Sequence, residues 1–270
     1  MNGGVLVALD YSGTLSLGAL LFGGDEALLE ALATSGLREL GIDRPETFWK
    51  EIVEPTWEAA STTPCGYGHV LSEQVRALLA ARGLRPPADL RARADAFVAR
   101  YLAQSAIDPA WKPLLSELAE RPQVTAIIAT DHYAEATGHI VGQLEALGIA
   151  AGPALGGSGR VLVANSADLG AHKADRAFWE RLRPVATKKG HPRSIVVVDD
   201  FGANEAAPDA YGDPLRVERR VRATVETLAA VFGAPVESFR FCLPGRRPDG
   251  PTYQSLVRQA SEFVRQAVGQ

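Results

Sequence analysis

The chain has 270 residues, 46% of them hydrophobic and 22% charged, with a formal net charge of -4; this is the composition of an ordinary globular protein, and it excludes the basic footprint of a nucleic-acid binder in favour of a small-molecule substrate. Cys65 and Cys242 are the only two cysteines and form no metal-type spacing, so free thiols in a reduced compartment are expected. Residues 1–9 carry no basic leader and the apolar Leu17–Phe22 falls well short of the roughly 18 residues of a membrane span, which makes a cytoplasmic protein with no membrane partner the expectation.

The first element is Val5–Leu9, a continuous apolar run that ends in Asp10 just before the Gly13-Thr14 turn. Such a run suits a parallel strand buried on both faces, and ligands of open α/β sheets sit beyond the carboxyl ends of the strands. Asp10 therefore stands where an enzyme presents a nucleophile. The following stretch reads as helix, with apolar residues at helical spacing through Asp25–Leu40, Glu46–Ala60, Val70–Arg82 and Leu90–Gln104. Gly41, Pro64-Cys65-Gly66-Tyr67-Gly68 and Pro86-Pro87 punctuate it.

Strand-like runs return after Trp111. The order becomes helix Pro113–Glu120, strand Thr125–Ala129, helix Ala134–Leu147, strand Val161–Ala164, helix Asp175–Leu182 and strand Ile195–Val198. Alternation of this kind predicts the α/β class, with a Rossmann-like parallel sheet and helices on both faces. The expected domains are a discontinuous core, 1–16 and 113–270, and a helical insertion over 17–112. The tail adds two amphipathic helices, Val217–Phe232 and Tyr253–Val268, around a short strand at Phe239–Leu243.

Four segments stand at the predicted strand ends or before a helix. They are Asp10-Tyr11-Ser12-Gly13-Thr14; Ile127-Ile128-Ala129-Thr130; Asn165-Ser166-Ala167-Asp168-Leu169-Gly170-Ala171-His172-Lys173-Ala174-Asp175-Arg176-Ala177-Phe178; and Ile195-Val196-Val197-Val198-Asp199-Asp200. Taken in order, they resemble the four motifs of the haloacid dehalogenase-like hydrolase superfamily, in a member whose helical cap is inserted after the first motif. Ala174 departs from the proline usual at its position.

The resemblance implies an aspartyl-enzyme mechanism, and its chemistry explains the residue types. A phosphoryl dianion repels an attacking carboxylate, so the site needs positive charge, which Mg²⁺ and Lys173 supply. Asp10 is implied as nucleophile and metal ligand, with the main-chain carbonyl of Ser12 and Asp199 or Asp200 completing a hard-oxygen set for Mg²⁺. Thr130 and Lys173 are implied to hold the transferring group, the lysine acting as a point charge.

Ser12 is the departure with chemical consequences, because phosphatases of the superfamily carry a second aspartate there. Serine does not shuttle protons at neutral pH, and losing a general acid/base commonly forfeits about 10² to 10⁴ in rate. The expected activity is a Mg²⁺-dependent phosphatase, or a related phosphoryl or phosphonyl hydrolase, acting on a small metabolite whose leaving group needs little protonation or is protonated by another residue. The alternatives are a phosphonatase, a 2-haloacid dehalogenase, or a binding or regulatory protein that has lost turnover. A dehalogenase needs no metal and leaves the acidic pair unexplained. A phosphonatase needs a Schiff-base lysine, and Lys50, with acids on either side in Glu46–Glu51, reads as an ion-paired surface residue.

Other polar residues admit two readings each. His132, after Thr130-Asp131, suits a substrate contact or proton shuttle, or a solvent-facing position at a helix entry; Asp131 suits a helix cap. Cys65-Gly66-Tyr67-Gly68-His69 suits a loop that closes over a substrate, or a plain turn. His172 is either a supporting neighbour of Lys173 or exposed, and Glu205 is a candidate for holding the metal through water.

Overall fold

The computed structural model describes residues 3–204, 214–245 and 250–269. Glu205 lies outside them. The chain is α/β, and the described residues form six parallel strands: β1 (Val5–Leu9), β2 (Val124–Thr130), β3 (Ala151–Pro153), β4 (Val161–Asn165), β5 (Ser194–Asp199) and β6 (Val236–Arg240), in the spatial order β3-β4-β2-β1-β5-β6. The chain winds outward from β1 on one side as far as β3 and β4, then crosses to β5 on the other. The reversal of direction at β1 opens a crevice at the carboxyl ends of β1 and β5.

Side chains alternate across the sheet, and each face buries one of the two sets. Val5, Val7 and Leu9 of β1, with Val124, Ala126 and Ile128 of β2, pack on one face; Leu6 and Ala8, with Ile127 and Ala129, pack on the other. The helices, in chain order, are α1 (Leu17–Phe22), α2 (Asp25–Thr34), α3 (Pro45–Thr47), α4 (Glu54–Thr62), α5 (Tyr67–Ala81), α6 (Leu90–Gln104), α7 (Lys112–Glu120), α8 (Glu135–Ala146), α9 (Ser166–Leu169), α10 (Arg176–Ala186), α11 (Pro214–Phe232) and α12 (Gly250–Gly269). Helices α7, α8 and α12 cover the first face; α10 and α11 cover the second. The tail thus supplies one helix to each face, and α12 is anchored where Tyr253 Oη accepts from Trp111 Nε1 at 2.9 Å and donates to the Thr14 carbonyl at 3.1 Å.

The stretch from α1 to α6 is helical throughout and encloses a core of its own, including Leu28, Leu32, Phe48, Ile52, Leu71, Val75 and Phe97. Ile107 and Trp111, by contrast, belong to the core beneath the sheet. Between α3 and α4 the helix widens into a π turn at Phe48–Val53. Pro55 has no N–H for the Glu51 carbonyl four residues back, and Gln74 Nε2 donates to that carbonyl instead at 2.6 Å.

The structure corrects some predicted boundaries. The last strand is Val236–Arg240 rather than Phe239–Leu243, because Phe241 leaves the sheet edge to bury its ring 5.4 Å from Trp111. The predicted helix Asp25–Leu40 ends at Thr34 and resumes only as a single turn at Arg38–Leu40, with Gly36 between them. The short β3 and α9 escape the periodicity argument because neither is long enough to show a period. Cys65 and Cys242 are exposed free thiols. No helix among the described residues is long and apolar enough to cross a membrane.

Candidate active site

Three carboxylates meet in the crevice beyond β1 and β5. Asp10, Asp199 and Asp200 are all buried, and each offers an oxygen within 4.8 Å of the others. The sheet register dictates this: Leu9 pairs with Val198, so Asp10 leaves β1 beside Asp199 at the end of β5. The Asp10 N–H donates back to the Val198 carbonyl at 2.9 Å, fixing the exit of the chain.

Lys173 enters from the loop after α9. Its Nζ donates to Asp10 Oδ1 at 2.5 Å and to Asp199 Oδ2 at 2.9 Å. Two contacts place its backbone: Asp131 Oδ1 accepts from the Lys173 N–H at 2.8 Å, and Trp179 Nε1 donates to the Lys173 carbonyl at 2.8 Å. Burial alone would lower the Lys173 ammonium, but Asp10, Asp199 and Asp131 outweigh it and hold its pKa well above the usual lysine value. Burial first, then Asp199 and Asp200, hold the Asp10 carboxyl well above its ordinary range against the pull of Lys173. Burial likewise raises Asp131.

Asp10 Oδ2 is buried with no hydrogen-bond partner among the described residues. Three buried carboxylates against one ammonium leave two negative charges uncompensated, and a buried anion demands a partner. The chemistry of the donor set therefore fits one hard divalent cation, held by oxygens of Asp10, Asp199 and Asp200.

The acidic turn is backbone-strained. Phe201 has φ 52°, a left-handed conformation unfavourable for a bulky residue. It is held there because its N–H donates to Asp199 Oδ1 at 2.6 Å, while the Gly202 and Asn204 N–H groups donate to the two oxygens of Asp200 at 2.8 and 3.1 Å. Asn204 Nδ2 also donates to the Gly13 carbonyl at 2.9 Å, tying this turn to the one after β1. Gly13 has φ 79°, and a Cβ there would come within 2.6 Å of Asp200 Oδ2, so only glycine lets the two turns close. Ser12 occupies the same turn, partly exposed, with Ser16 as its bridge partner.

Thr130 ends β2, buried and in register with Asn165 of β4. His132 is placed differently. Its ring is buried, with Nδ1 accepting from the Tyr133 N–H at 2.8 Å and Nε2 lying 2.7 Å from Tyr101 Oη. A neutral ring with the proton on Nε2 satisfies both contacts. Burial, and secondarily His139, depress its pKa to about 3. The structure thus joins His132 to α6 rather than to the carboxylates.

Sequence reasoning gave no weight to Asn204, Tyr133 or Glu135, and to Asp131 only the place of a helix cap. The only available signal was their proximity to strand ends. Glu135 reaches across to the helical layer, where its Oε2 and Oε1 accept from the N–H groups of Tyr67 and Gly68 at 2.9 and 3.3 Å. Tyr133 stacks on Tyr67 with ring centroids 3.7 Å apart, and Trp57 lies parallel to His172, whose Nε2 is 2.8 Å from Ser61 Oγ.

No family model matches the chain, and no curated protein matches it. Among solved structures it is similar to the HAD-hydrolase YfnB from Bacillus subtilis bound to magnesium, at 13% identity over all of both chains and a TM-score of 0.48. It is also similar to an L-2-haloacid dehalogenase, at 11% identity over 92% of this chain and 88% of that one with a TM-score of 0.47. A HAD family hydrolase from Deinococcus radiodurans with bound phosphate and sodium is 17% identical over 97% of this chain and 94% of its own, at a TM-score of 0.40.

Proposed function

We infer that this chain is a haloacid dehalogenase-like hydrolase that cleaves a phosphoryl or related group from a small metabolite, with Asp10 as nucleophile and Mg²⁺ as cofactor. One observation carries this reading: the Lys173 ammonium bridges Asp10 and Asp199, while the other Asp10 oxygen is buried without a hydrogen-bond partner beside a surplus of negative charge. A purely structural ion pair gains nothing from two further carboxylates in the same burial.

In this reading Asp10 attacks phosphorus through one oxygen, the leaving group departs from the opposite side, and water later hydrolyses the aspartyl phosphate, restoring the carboxylate. Lys173 neutralises the transferring group from a fixed position, since both its backbone N–H and its carbonyl are held. Thr130 lends its hydroxyl and N–H to the same group. Asp10, Asp199 and Asp200, with the Ser12 carbonyl, hold Mg²⁺, which when bound supplies the positive charge that lets an anionic nucleophile meet an anionic substrate. The helical stretch 17–112 serves as a cap on the core formed by 1–16 and 113–270. It excludes water from the crevice and contacts the leaving portion of the substrate.

The test is turnover of purified protein against acyl phosphates, phosphate esters, phosphonates and haloacids, with and without Mg²⁺. Metal-dependent release of phosphate that disappears in Asp10→Asn is the expected result. Halide release that persists in chelator would replace this reading with the dehalogenase one.

A further inference from the structure

Lys173 is set by partners on two sides, and each side is also fastened to the helical layer. On one side stands His172. Its Nε2 lies 2.8 Å from Oγ of Ser61, a fully buried residue of α4, and its ring is 4° from parallel to that of Trp57, one turn earlier on the same helix. The Ser61 hydroxyl donates to the Trp57 carbonyl at 2.6 Å, so toward the imidazole it can only accept, and the proton of the contact belongs to His172 Nε2. Nδ1 is 3.8 Å from the exposed Glu58 carboxylate, too far for a hydrogen bond. On the other side stands Asp131, which accepts from the Lys173 N–H. Two residues further on, the Tyr133 ring is buried in the core of the helical layer and stacked on Tyr67, and Glu135 accepts from the N–H groups that open α5. The segment that holds the lysine amide is therefore docked on the helical layer as well.

The turn that carries His172 and Lys173 is stiff enough to transmit a displacement. The His172 N–H donates to Asp175 Oδ2 at 3.1 Å, and the Asp175 N–H donates to the His172 carbonyl at 2.9 Å, so residues 172–175 close on themselves. A shift of the imidazole then moves the lysine amide against Asp131, since the planar peptide leaves little freedom between adjacent residues. Packing alone does not call for a serine at this place. Alanine at 61 would keep the α4 backbone, whereas a polar pair drawn from segments 111 residues apart fixes one imidazole on one helix.

We propose that His172 is a positioning residue: by donating from Nε2 to Ser61 it couples the seating of α4 to the placement of Lys173 between Asp10 and Asp199. With α4 seated, the lysine turn is held from both layers. With α4 lifted, His172 loses its acceptor and the Lys173 amide loosens from Asp131. The inference rests on the hydrolase reading for the task of Lys173, not for its coupling to α4, and the test separates the two.

Hydrogen exchange of the full chain, resolved at the Lys173 amide by NMR, is the test. In Ser61→Ala and in His172→Leu that amide is expected to exchange roughly tenfold faster than in the parent, as loss of one hydrogen bond allows, and in the double variant no faster than in either single one. His172→Gln keeps a donor near the Nε2 position and is expected to retain the parent rate, while the amides of β1 stay unchanged in every variant. A Lys173 amide that does not respond, or that accelerates together with β1, overturns the proposal, because the contact then only seats α4 or supports the fold at large. Should Ser61→Ala fail to fold, His172→Leu against His172→Gln decides in the same way. Calorimetry with inorganic phosphate in Mg²⁺ reads the consequence at the site, where affinity is expected to fall in His172→Leu and to survive in His172→Gln. Phosphate bound equally by the parent and His172→Leu overturns the proposal and leaves the hydrolase reading intact. If the amide responds but the parent binds no phosphate, the hydrolase reading falls and the coupling of His172 to Lys173 stands.

Discussion

Lys173 lies 2.5 Å from Asp10, its single ammonium set among three buried carboxylates, and the pair sits in a field that is negative on balance. Removing either partner should therefore change stability with opposite sign. In metal-free protein, Lys173→Met leaves three buried carboxylates without their counter-charge and should cost about 3–5 kcal/mol, the range for breaking a buried pair from one side. Asp10→Asn takes one charge out of a repelling cluster while Lys173 keeps Asp199, so its unfolding midpoint should equal or exceed the parent's. Both variants should lose turnover, Lys173→Met by at least about 10². Denaturant unfolding in chelator reads the contrast; equal destabilisation by the two variants would show that no charge surplus exists.

Mg²⁺ should stabilise the fold by mass action. At a metal concentration a hundred times the dissociation constant the gain is about 2.7 kcal/mol, or roughly 5–10 °C in melting temperature for a chain of this size. Asp200→Asn should shrink that shift, since it removes one anionic oxygen donor while keeping an acceptor for the Gly202 or Asn204 N–H. Thermal melts with added metal check this without any substrate. Turnover should vanish in chelator and return on adding Mg²⁺.

Strands β1, β2, β4 and β5 were legible in the sequence because they are buried almost throughout, which writes them as apolar runs; Asp10, Thr130 and Asp199 mark where three of those runs stop. Lys173 was legible only through the resemblance, since a lysine before a helix carries no signal of burial. What could not be read is contact between distant segments. Glu135 looks like any first-turn acid, yet it caps a helix beginning at Tyr67; Asn204 looks like a turn residue, yet it joins the loop of Gly13 to Asp200. His132 shows the same limit from the other side, because neither reading of it foresaw a ring buried against Tyr101 of α6.

That burial gives His132 a signature in the pH dependence of stability. Its folded pKa is depressed to about 3 from a reference value of 6.5. Between those values the unfolded chain binds a proton that the native chain refuses, so stability is lost as pH falls through the window. The slope reaches ~1.4 kcal/mol per pH unit for one full proton. His132→Asn keeps an acceptor for the Tyr133 N–H but cannot protonate. Its stability should fall less steeply than the parent's between pH 6.5 and 4.5, measured by urea unfolding. Parallel slopes would show that the ring is protonated in the native state.

Ser12 should set which substrates are cleaved. It stands in the turn after Asp10, where, on the proposed hydrolase reading, a second aspartate would protonate the leaving oxygen, and serine cannot do so. His132, the nearest histidine in sequence to Thr130, is buried against Tyr101 and depressed far below neutral pH, so it does not replace the missing acid. An unassisted leaving oxygen must carry its own developing charge. Rates across a series of aryl phosphates should therefore rise steeply as leaving-group pKa falls. Ser12→Asp should flatten that dependence, accelerating the poorest leaving groups by up to about 10²-fold and the best hardly at all. A shallow dependence in the parent protein would mean that another group already delivers the proton. His172, beside Lys173 and held 2.8 Å from Ser61, would then be the residue to replace first, with restoration of a steep dependence in His172→Gln as the confirming sign.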